Sequence, residues 1–213
     1  RLEIVTHARV RSIHSVFIAG QQIDWTTFSP EIQDDRLIVG SPPLTGPDAN
    51  LVPVEVVFEV PVLAFGTEFA GWVFDSADVE RIKQGVEPGN ATFRFSGDAI
   101  TVATPLGGDL LMDVAASPNP FTPNGDGAND VLKLNFSLRQ VTIERVFSLT
   151  IYDLSGRQVR RISGFQYRSG EFAHEWDGTD GSGRMVPPGI YLYKLVLHAD
   201  SREQKSGTIG LLY

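Results

Sequence analysis

The sequence predicts an all-β protein built of two tandem β-sandwich domains. Apolar and polar residues alternate over many short stretches, 21 glycines and 13 prolines interrupt these stretches, and one proline-rich segment divides the chain. A period of two is typical of strands that bury one face, and frequent turns are typical of sandwiches. The 213 residues, 42% of them apolar, suffice for two domains with separate cores.

In the first half, the clearest strand is 54–60, where Val54, Val56, Phe58 and Val60 occupy every second position. The remaining strands predicted there are 2–6, 13–19, 36–39, 69–74, 91–95, 100–103 and 110–114. One short helix is predicted at 77–84, between a capping Ser76 and Gly85. The first half therefore consists almost entirely of strands.

The second half shows the same alternation at 132–138 and 147–152, so these segments are also predicted strands. Further strands are expected at 158–162, 171–176, 190–198 and 204–212. Turn signals separate them: Ser-Gly at 155–156, Asp-Gly at 177–178 and Pro-Pro-Gly at 187–189. These segments are enough for a second sandwich.

The domain boundary is expected where Pro118, Pro120 and Pro123 follow one another closely, because proline and its preceding residue resist regular structure. We therefore divide the chain into domains 1–114 and 115–213. Charge supports this division. Residues 1–112 hold 7 Lys and Arg against 15 Asp and Glu, and residues 113–213 hold 11 of each.

The net charge of −8 and the absence of cysteine exclude several functions. An acidic chain has no general field for phosphates, so nucleic acid and anionic membrane surfaces are not expected partners. Without cysteine there is no disulfide, thiolate metal site or thiol nucleophile. No apolar run approaches 18 residues, so no membrane span is expected. An N-terminal Arg instead of Met suggests that upstream sequence is missing.

Catalytic motifs are not found, and the chain is expected not to be an enzyme. Gly181-Ser182-Gly183 lacks the strand and helix of a nucleophile elbow. The glycines at 125 and 127 lack the third glycine and the helix of a phosphate-binding loop. The four histidines show no metal-ligand spacing.

The loop 124–130 offers oxygen ligands of the kind that Ca²⁺ prefers, at Asn124, Asp126 and Asp130. Ala128 and the lack of a closing Glu exclude an EF-hand, so only a looser calcium site fits. The alternative is a set of Asx turns leading into the next strand. No other cofactor is expected.

Four residues of the first domain are candidates for ligand binding. Trp25 and Trp72 would form a stacking platform for a sugar if exposed, although aromatic residues of sandwiches also serve as core. Glu55 and Glu59 share one strand face, where they would contact a ligand or protect the sheet. Glycan or protein binding through this domain is therefore the alternative function.

The second half also carries an ordered series of motifs. In order, these are Ser117-Pro-Asn-Pro-Phe121, Asn124-Gly-Asp-Gly127, Ile151-Tyr-Asp153 with Gly156-Arg157, Trp176-Asp-Gly178, and Gly189-Ile-Tyr-Leu-Tyr193. This series resembles the immunoglobulin-like domain of the flagellar hook-capping protein and of bacterial secreted proteins. It is also similar to the C-terminal sorting domains of type IX secretion cargo.

The resemblance implies an immunoglobulin-like second domain and an extracellular or cell-surface location. It further implies a non-catalytic module whose final strand, within 205–213, matters to the secretion machinery. We therefore expect the C-terminal region of a secreted or surface bacterial protein, with a structural role and a sorting or anchoring role. The expected partners are the secretion machinery or cell-surface components.

Overall fold

The computed structural model describes residues 1–33, 35–44, 52–78, 80, 82–87, 89, 100–200 and 202–213. It confirms the all-β prediction, because the described residues form strands and a single 3₁₀ turn at Trp25–Phe28. The chain forms two compact units. The first comprises Arg1–Val62 and Gly66–Thr104, and the second comprises Leu63–Phe65 and Pro105–Tyr213.

The N-terminal unit contains two antiparallel sheets. Its strands are β1 (Leu2–Thr6), β2 (Ser12–Ile18), β3 (Gln21–Ile23), β4 (Glu31–Gln33), β5 (Arg36–Val39), β6 (Val54–Glu59), β7 (Gly66–Val73), β8 (Gln84–Gly85) and β9 (Thr101–Ala103). One sheet has the order β4-β5-β1-β7-β8 with β9 also paired to β7, and the other has the order β3-β2-β6. Val10, Ile13, Val16, Leu37 and Val39 form its buried core.

The helix predicted at 77–84 does not form in the described residues of that segment, and Gln84 instead begins β8. The side chain of Asp75 accepts a hydrogen bond from the Ala77 N–H, and Asp78 accepts one from the Glu80 N–H. Such Asx turns compete with helical hydrogen bonding. The strand predicted at 91–95 lies outside the described residues. Among those described, no helix is long and apolar enough to cross a membrane.

The C-terminal unit is a sandwich of seven antiparallel strands, as in immunoglobulin-like domains. Its strands are β10 (Leu111–Ser117), β11 (Leu132–Leu138), β12 (Arg145–Tyr152), β13 (Gln158–Tyr167), β14 (Gly170–Trp176), β15 (Gly189–His198) and β16 (Arg202–Leu211). Their orders are β10-β11-β14 and β13-β12-β15-β16. Phe136 and Phe147 stack at 4.4 Å between ring centroids, which joins the two sheets.

The predicted boundary between residues 114 and 115 falls inside β10. This strand pairs with β11 from Leu111 to Ser117, and its register shifts between Met112 and Ala115, beside Asp113 with a φ of +53°. This β-bulge lets β10 continue on both sides of Asp113. Residues 105–114, which the sequence predicts to lie in the first domain, belong to the second unit. The prolines that follow close one edge of that sandwich.

Candidate functional site

The last strand, β16, is the candidate site that the sequence resemblance implies. It lies at the edge of the four-stranded sheet and pairs with β15 over its full length, from Gly189↔Leu211 to His198↔Arg202. Ile209 and Leu211 are fully buried in the core. The chain end is therefore an integral part of the sandwich.

The Asn119 side chain covers the outer edge of β16. Its amide nitrogen donates to the Thr208 carbonyl at 2.9 Å, and its amide oxygen accepts from the Gly210 N–H at 2.8 Å. These two bonds satisfy the backbone as a neighbouring strand would. An edge left open would be free to pair with another chain.

The backbone of Phe121 extends this cover. Its N–H donates to the Gly210 carbonyl, and its own carbonyl accepts from the Leu212 N–H, both at 3.0 Å. The Phe121 side chain is fully buried against Trp176, with 5.3 Å between ring centroids. The motif 117–121 therefore fastens the chain end to the rest of the domain.

Tyrosine hydroxyls hold the same end of the sandwich. Tyr213 donates to the Val186 carbonyl, and Tyr191 donates to the Pro187 carbonyl, each at 2.5 Å. Trp176, expected to be core or rim, is 2% exposed and donates from its indole nitrogen to the Thr179 carbonyl. The backbone carbonyls of Val186 and Pro187, at the start of the Pro-Pro-Gly turn, thus accept hydrogen bonds from two tyrosine hydroxyls.

Two charged residues of β16 reach toward β10 at the other end. One carboxylate oxygen of Glu203 accepts from the N–H groups of Leu110 and Leu111, at 2.9 and 3.0 Å. Lys205 forms an ion pair with Asp109 at 2.5 Å. The hydrogen bond from Lys205 lowers the pKa of Asp109, and the same bond raises the pKa of Lys205. Both ends of β16 are therefore anchored by side chains.

Beside the Lys205–Asp109 ion pair lies an open cleft of about 520 Å³. Its lining residues are Asp109, Leu111, Met112, Asp113, Val114, Arg139, Tyr193, Lys205 and Ser206. The Tyr193 ring crosses β16 at Gly207, where a Cβ atom would stand 2.5 Å from the Tyr193 hydroxyl. Burial raises the pKa of Tyr193. Gly207 is thus needed for close packing of the aromatic ring.

The predicted calcium ligands Asn124, Asp126 and Asp130 lie together in one exposed loop. Asp130 accepts from the N–H groups of Gly125 and Gly127, at 2.6 and 2.7 Å. Asp126 accepts from the Ala128 N–H at 2.7 Å, and Asn124 accepts from the Asp126 N–H at 3.0 Å. A cation would compete with these Asx-type bonds. Calcium binding at this loop stays a prediction.

Two further acidic turns have the same construction. Asp153 accepts from Ser155 and Arg157, and Asp180 accepts from Ser182 and Arg184. Hydrogen bonds from the serine hydroxyls and from these backbone N–H groups lower the pKa of each carboxyl from 3.8 to about 2. These carboxylates therefore act as structural acceptors within their turns.

The four candidate binding residues of the N-terminal unit do not come together. Trp25 packs partly buried against the core beside β6. Trp72 pairs with Glu3 on the face of β7 that points away from this core. Glu55 and Glu59 lie on the outer face of β6, about 13 Å apart along the strand. Glu59 contacts Arg11 at 3.1 Å and His14 at 3.7 Å. Ligand binding by these residues stays a prediction.

Glu3 is a buried charge that the sequence reasoning missed. It is 2% exposed, accepts from Arg36 at 3.2 Å and pairs with Lys83, whose ammonium lies 5.6 Å from the Phe74 ring centroid. A buried carboxylate needs such partners because desolvation is costly. The sequence carries only a weak signal, a single charged residue in a mostly apolar strand. The partners of Glu3, Arg36 and Lys83, are distant in sequence, so the ion pairs could not be predicted.

Asn119 and Glu203 were also missed as edge anchors. An Asn between two prolines is a recognisable signal of irregular backbone, because proline resists regular structure, but it does not identify the strand that the side chain bonds to. Glu203 carries no comparable signal. Its partners, Leu110 and Leu111, lie more than 90 residues away along the chain.

Comparison with known proteins gives a match for the C-terminal unit. Residues 115–211 match the CHU_C type IX secretion signal domain family. No curated protein matches the chain significantly.

Three solved structures are similar to parts of the chain. FlgD from P. aeruginosa is 26% identical, with 38% of this chain and 61% of that chain covered and a TM-score of 0.32. PorZ, a surface component of the type IX secretion system of Porphyromonas gingivalis, is 20% identical, with coverage of 47% and 11% and a TM-score of 0.33. Dimeric latent PorU from the same species is 13% identical, with coverage of 99% and 18% and a TM-score of 0.42. The chain thus spans less than two thirds of each of them.

Proposed function

We propose, because residues 115–211 match the type IX secretion signal domain family, that the C-terminal unit directs the attached polypeptide to that secretion system. The family match is the observation that carries the proposal. The partner is a component of the secretion machinery, and the destination is the cell surface or the medium. A more specific version of this proposal is that the C-terminal unit also anchors the exported protein at the cell surface.

The construction of β16 supports this role. Asn119, Phe121, Glu203 and Lys205 fix the chain end on the sandwich, while Leu212 and Tyr213 remain half-exposed. A receptor would then meet a folded surface on which β16 is already held in place, which limits the ordering cost of binding.

The module acts without catalysis. Its prominent carboxylates, at Asp126, Asp130, Asp153 and Asp180, accept hydrogen bonds from neighbouring backbone N–H groups. Such carboxylates close turns, and the lowered pKa of Asp153 and Asp180 makes both poor proton carriers near neutral pH.

The test is a reporter fused upstream of the full 213-residue chain, behind a signal peptide, in a bacterium with an active type IX system. We expect the reporter in the medium or on the cell surface. The same fusion in a strain with an inactivated system is the control and should remain in the periplasm. A reporter held in the periplasm of both strains would refute the sorting role.

A further inference from the structure

The four-stranded sheet of the C-terminal unit has an outer face that points away from the core. Because Phe147, Leu149 and Ile151 point into the core from β12, the alternate residues Ser148, Thr150 and Tyr152 lie on the opposite face, where Ser148 and Thr150 are only 7% and 8% exposed. The outer face is defined by the outward positions of four strands. These are 158, 161, 163 and 166 of β13, the even positions 146–152 of β12, 190–198 of β15, and 202–210 of β16.

Charge on this outer face is entirely positive. It carries Arg161, Lys194 and Arg202, together with His198, and none of its defined positions is Asp or Glu. The charged side chains of these three residues make no ion pair or hydrogen bond with another residue that the structure describes. They are therefore available to an external partner.

The balanced composition of the domain conceals this asymmetry. Residues 113–213 contain eleven acidic and eleven basic residues, but nine of the acidic ones make local bonds elsewhere, and the other two, Asp113 and Glu171, lie on β10 and β14 of the other sheet. Five lie in backbone-capping turns at 126, 130, 153, 177 and 180. Glu203 holds β10, and Glu144, Glu175 and Asp200 pair with other cations. The outer face thus keeps an uncompensated positive charge.

The cations are distributed across the sheet: Arg161 and Arg202 lie on the edge strands β13 and β16, and Lys194 lies on the interior strand β15. Arg161 is paired with Thr150, Thr150 with Lys194, and Lys194 with Ser206. Two strand spacings separate Arg161 and Lys194, so their backbones lie about 10 Å apart. Protection against edge pairing explains lysines on edge strands. It does not explain Lys194, because β15 is an interior strand.

Apolar side chains adjoin this row. Tyr152 is paired with Leu192, and the next outward residue of β15 is Ile190; Leu192 and Ile190 are 40% and 55% exposed. A cationic row beside exposed aliphatic side chains matches a protein surface with acidic and apolar residues, because interface cores are apolar and rims are charged. An anionic glycan would use the cations and leave the aliphatic side chains in water.

We propose that the outer face of this sheet is the docking surface for an acidic protein of the secretion machinery. The partner presents two carboxylates about 10 Å apart, matched to Arg161 and Lys194, and an apolar side chain that covers Leu192 and Ile190. This inference rests on the proposed function and names the surface through which that function operates.

The experiment measures export of the full-chain reporter fusion carrying R161E/K194E. We expect the exported fraction to fall about tenfold, because reversed charge adds repulsion to lost attraction. The control K133E/R168E changes the charge equally but lies off the outer face, in exposed ion pairs with Glu175 and Glu144. R161K/K194R keeps the charge. Both should be exported as the unsubstituted chain is, and R161E/K194E should keep the thermal midpoint of that chain.

A photo-reactive residue at Ser206, in the same row, identifies the class of partner. We expect a protein adduct of low isoelectric point that disappears in R161E/K194E. A glycan adduct, or normal export of R161E/K194E, would overturn the docking surface and leave the sorting function intact. Failure of the unsubstituted fusion to leave the periplasm would overturn both.

Discussion

At the scale of single residues, Asn119 shows how one side chain replaces part of a strand. Its amide meets an acceptor and a donor of β16 that are two residues apart, at Thr208 and Gly210. Neither atom has another backbone partner on that side. The residue therefore stabilises a terminal strand that the sheet leaves open.

Replacing Asn119 with Ala should lower the free energy of unfolding of the C-terminal unit by about 1–3 kcal/mol, because two hydrogen bonds are lost. Urea unfolding measures the change, and hydrogen exchange should show faster exchange of the Gly210 amide. Asn135→Ala, on an exposed position of β11, is the matched control and should have little effect. Equal effects of both substitutions would contradict the edge role.

Glu3 is the corresponding residue of the N-terminal unit. Glu3→Gln should lower the free energy of unfolding of that unit by about 1–3 kcal/mol, because Arg36 and Lys83 lose a charged acceptor but remain partly solvated. Fluorescence of Trp25 and Trp72 reports the transition. Glu68→Gln, at an exposed position of β7, is the control. An unchanged midpoint for Glu3→Gln would show that the ion pairs add nothing.

At the scale of elements, the alternation of apolar and polar residues predicted most strands correctly. Where a predicted element did not form, hydrogen bonds from side chains to the backbone explain the difference. β11 has the predicted bounds, and β6 ends one residue before its prediction. The helix at 77–84 failed because Asp75 and Asp78 bond their own backbone neighbours. The edge contacts of Asn119 could not be predicted, since they depend on residues about 90 positions away. The alternation of apolar and polar residues thus predicts the strands, whereas contacts between residues distant in sequence can be identified only once the fold is known.

The turns at Asp153 and Asp180 make the C-terminal unit sensitive to acid. Their pKa values fall from 3.8 to about 2 on folding, so the ionised carboxylates stabilise the fold above pH 4 and lose that effect as the pH approaches 2. Urea midpoints between pH 7 and pH 2 should decrease mainly in that interval. In D153N/D180N the decrease should be smaller and the midpoint at pH 7 lower. An unaltered pH profile would contradict this account.

The loop at 124–130 makes the calcium prediction testable. A cation bound by Asn124, Asp126 and Asp130 only in the folded state must raise the thermal midpoint. We expect a rise in millimolar calcium relative to chelator, and loss of that rise in Asp126→Asn. Magnesium at the same concentration controls for ionic strength. Equal midpoints with calcium and with chelator would remove the site.

At the scale of the whole molecule, the two units differ in charge and in the way their cores are completed. The net charge of the chain resides in residues 1–112. The C-terminal core depends on residues far apart in sequence, since Leu111, Phe121, Ile209 and Leu211 all belong to it. Residues near both ends of that unit are therefore required to complete its core.

Deleting residues 209–213 should abolish the cooperative unfolding of the C-terminal unit. Burial of Ile209 and Leu211 is lost, and each such side chain contributes about 2–5 kcal/mol. Near-ultraviolet circular dichroism and binding of a hydrophobic dye measure the loss of packing. The N-terminal transition, followed through Trp25, is the internal control. A truncated chain that still unfolds cooperatively in its C-terminal half would refute this dependence.

The anchoring of β16 has a consequence for the order in which the C-terminal unit folds. Asn119 and Phe121 precede the strand that they hold by about 90 residues, so they cannot make these bonds until residues 208–212 have been synthesised. Until then the buried sites of Ile209 and Leu211 in the core stay unfilled. The sandwich can therefore close only after β16 has become available, and its earlier strands must wait for the last one.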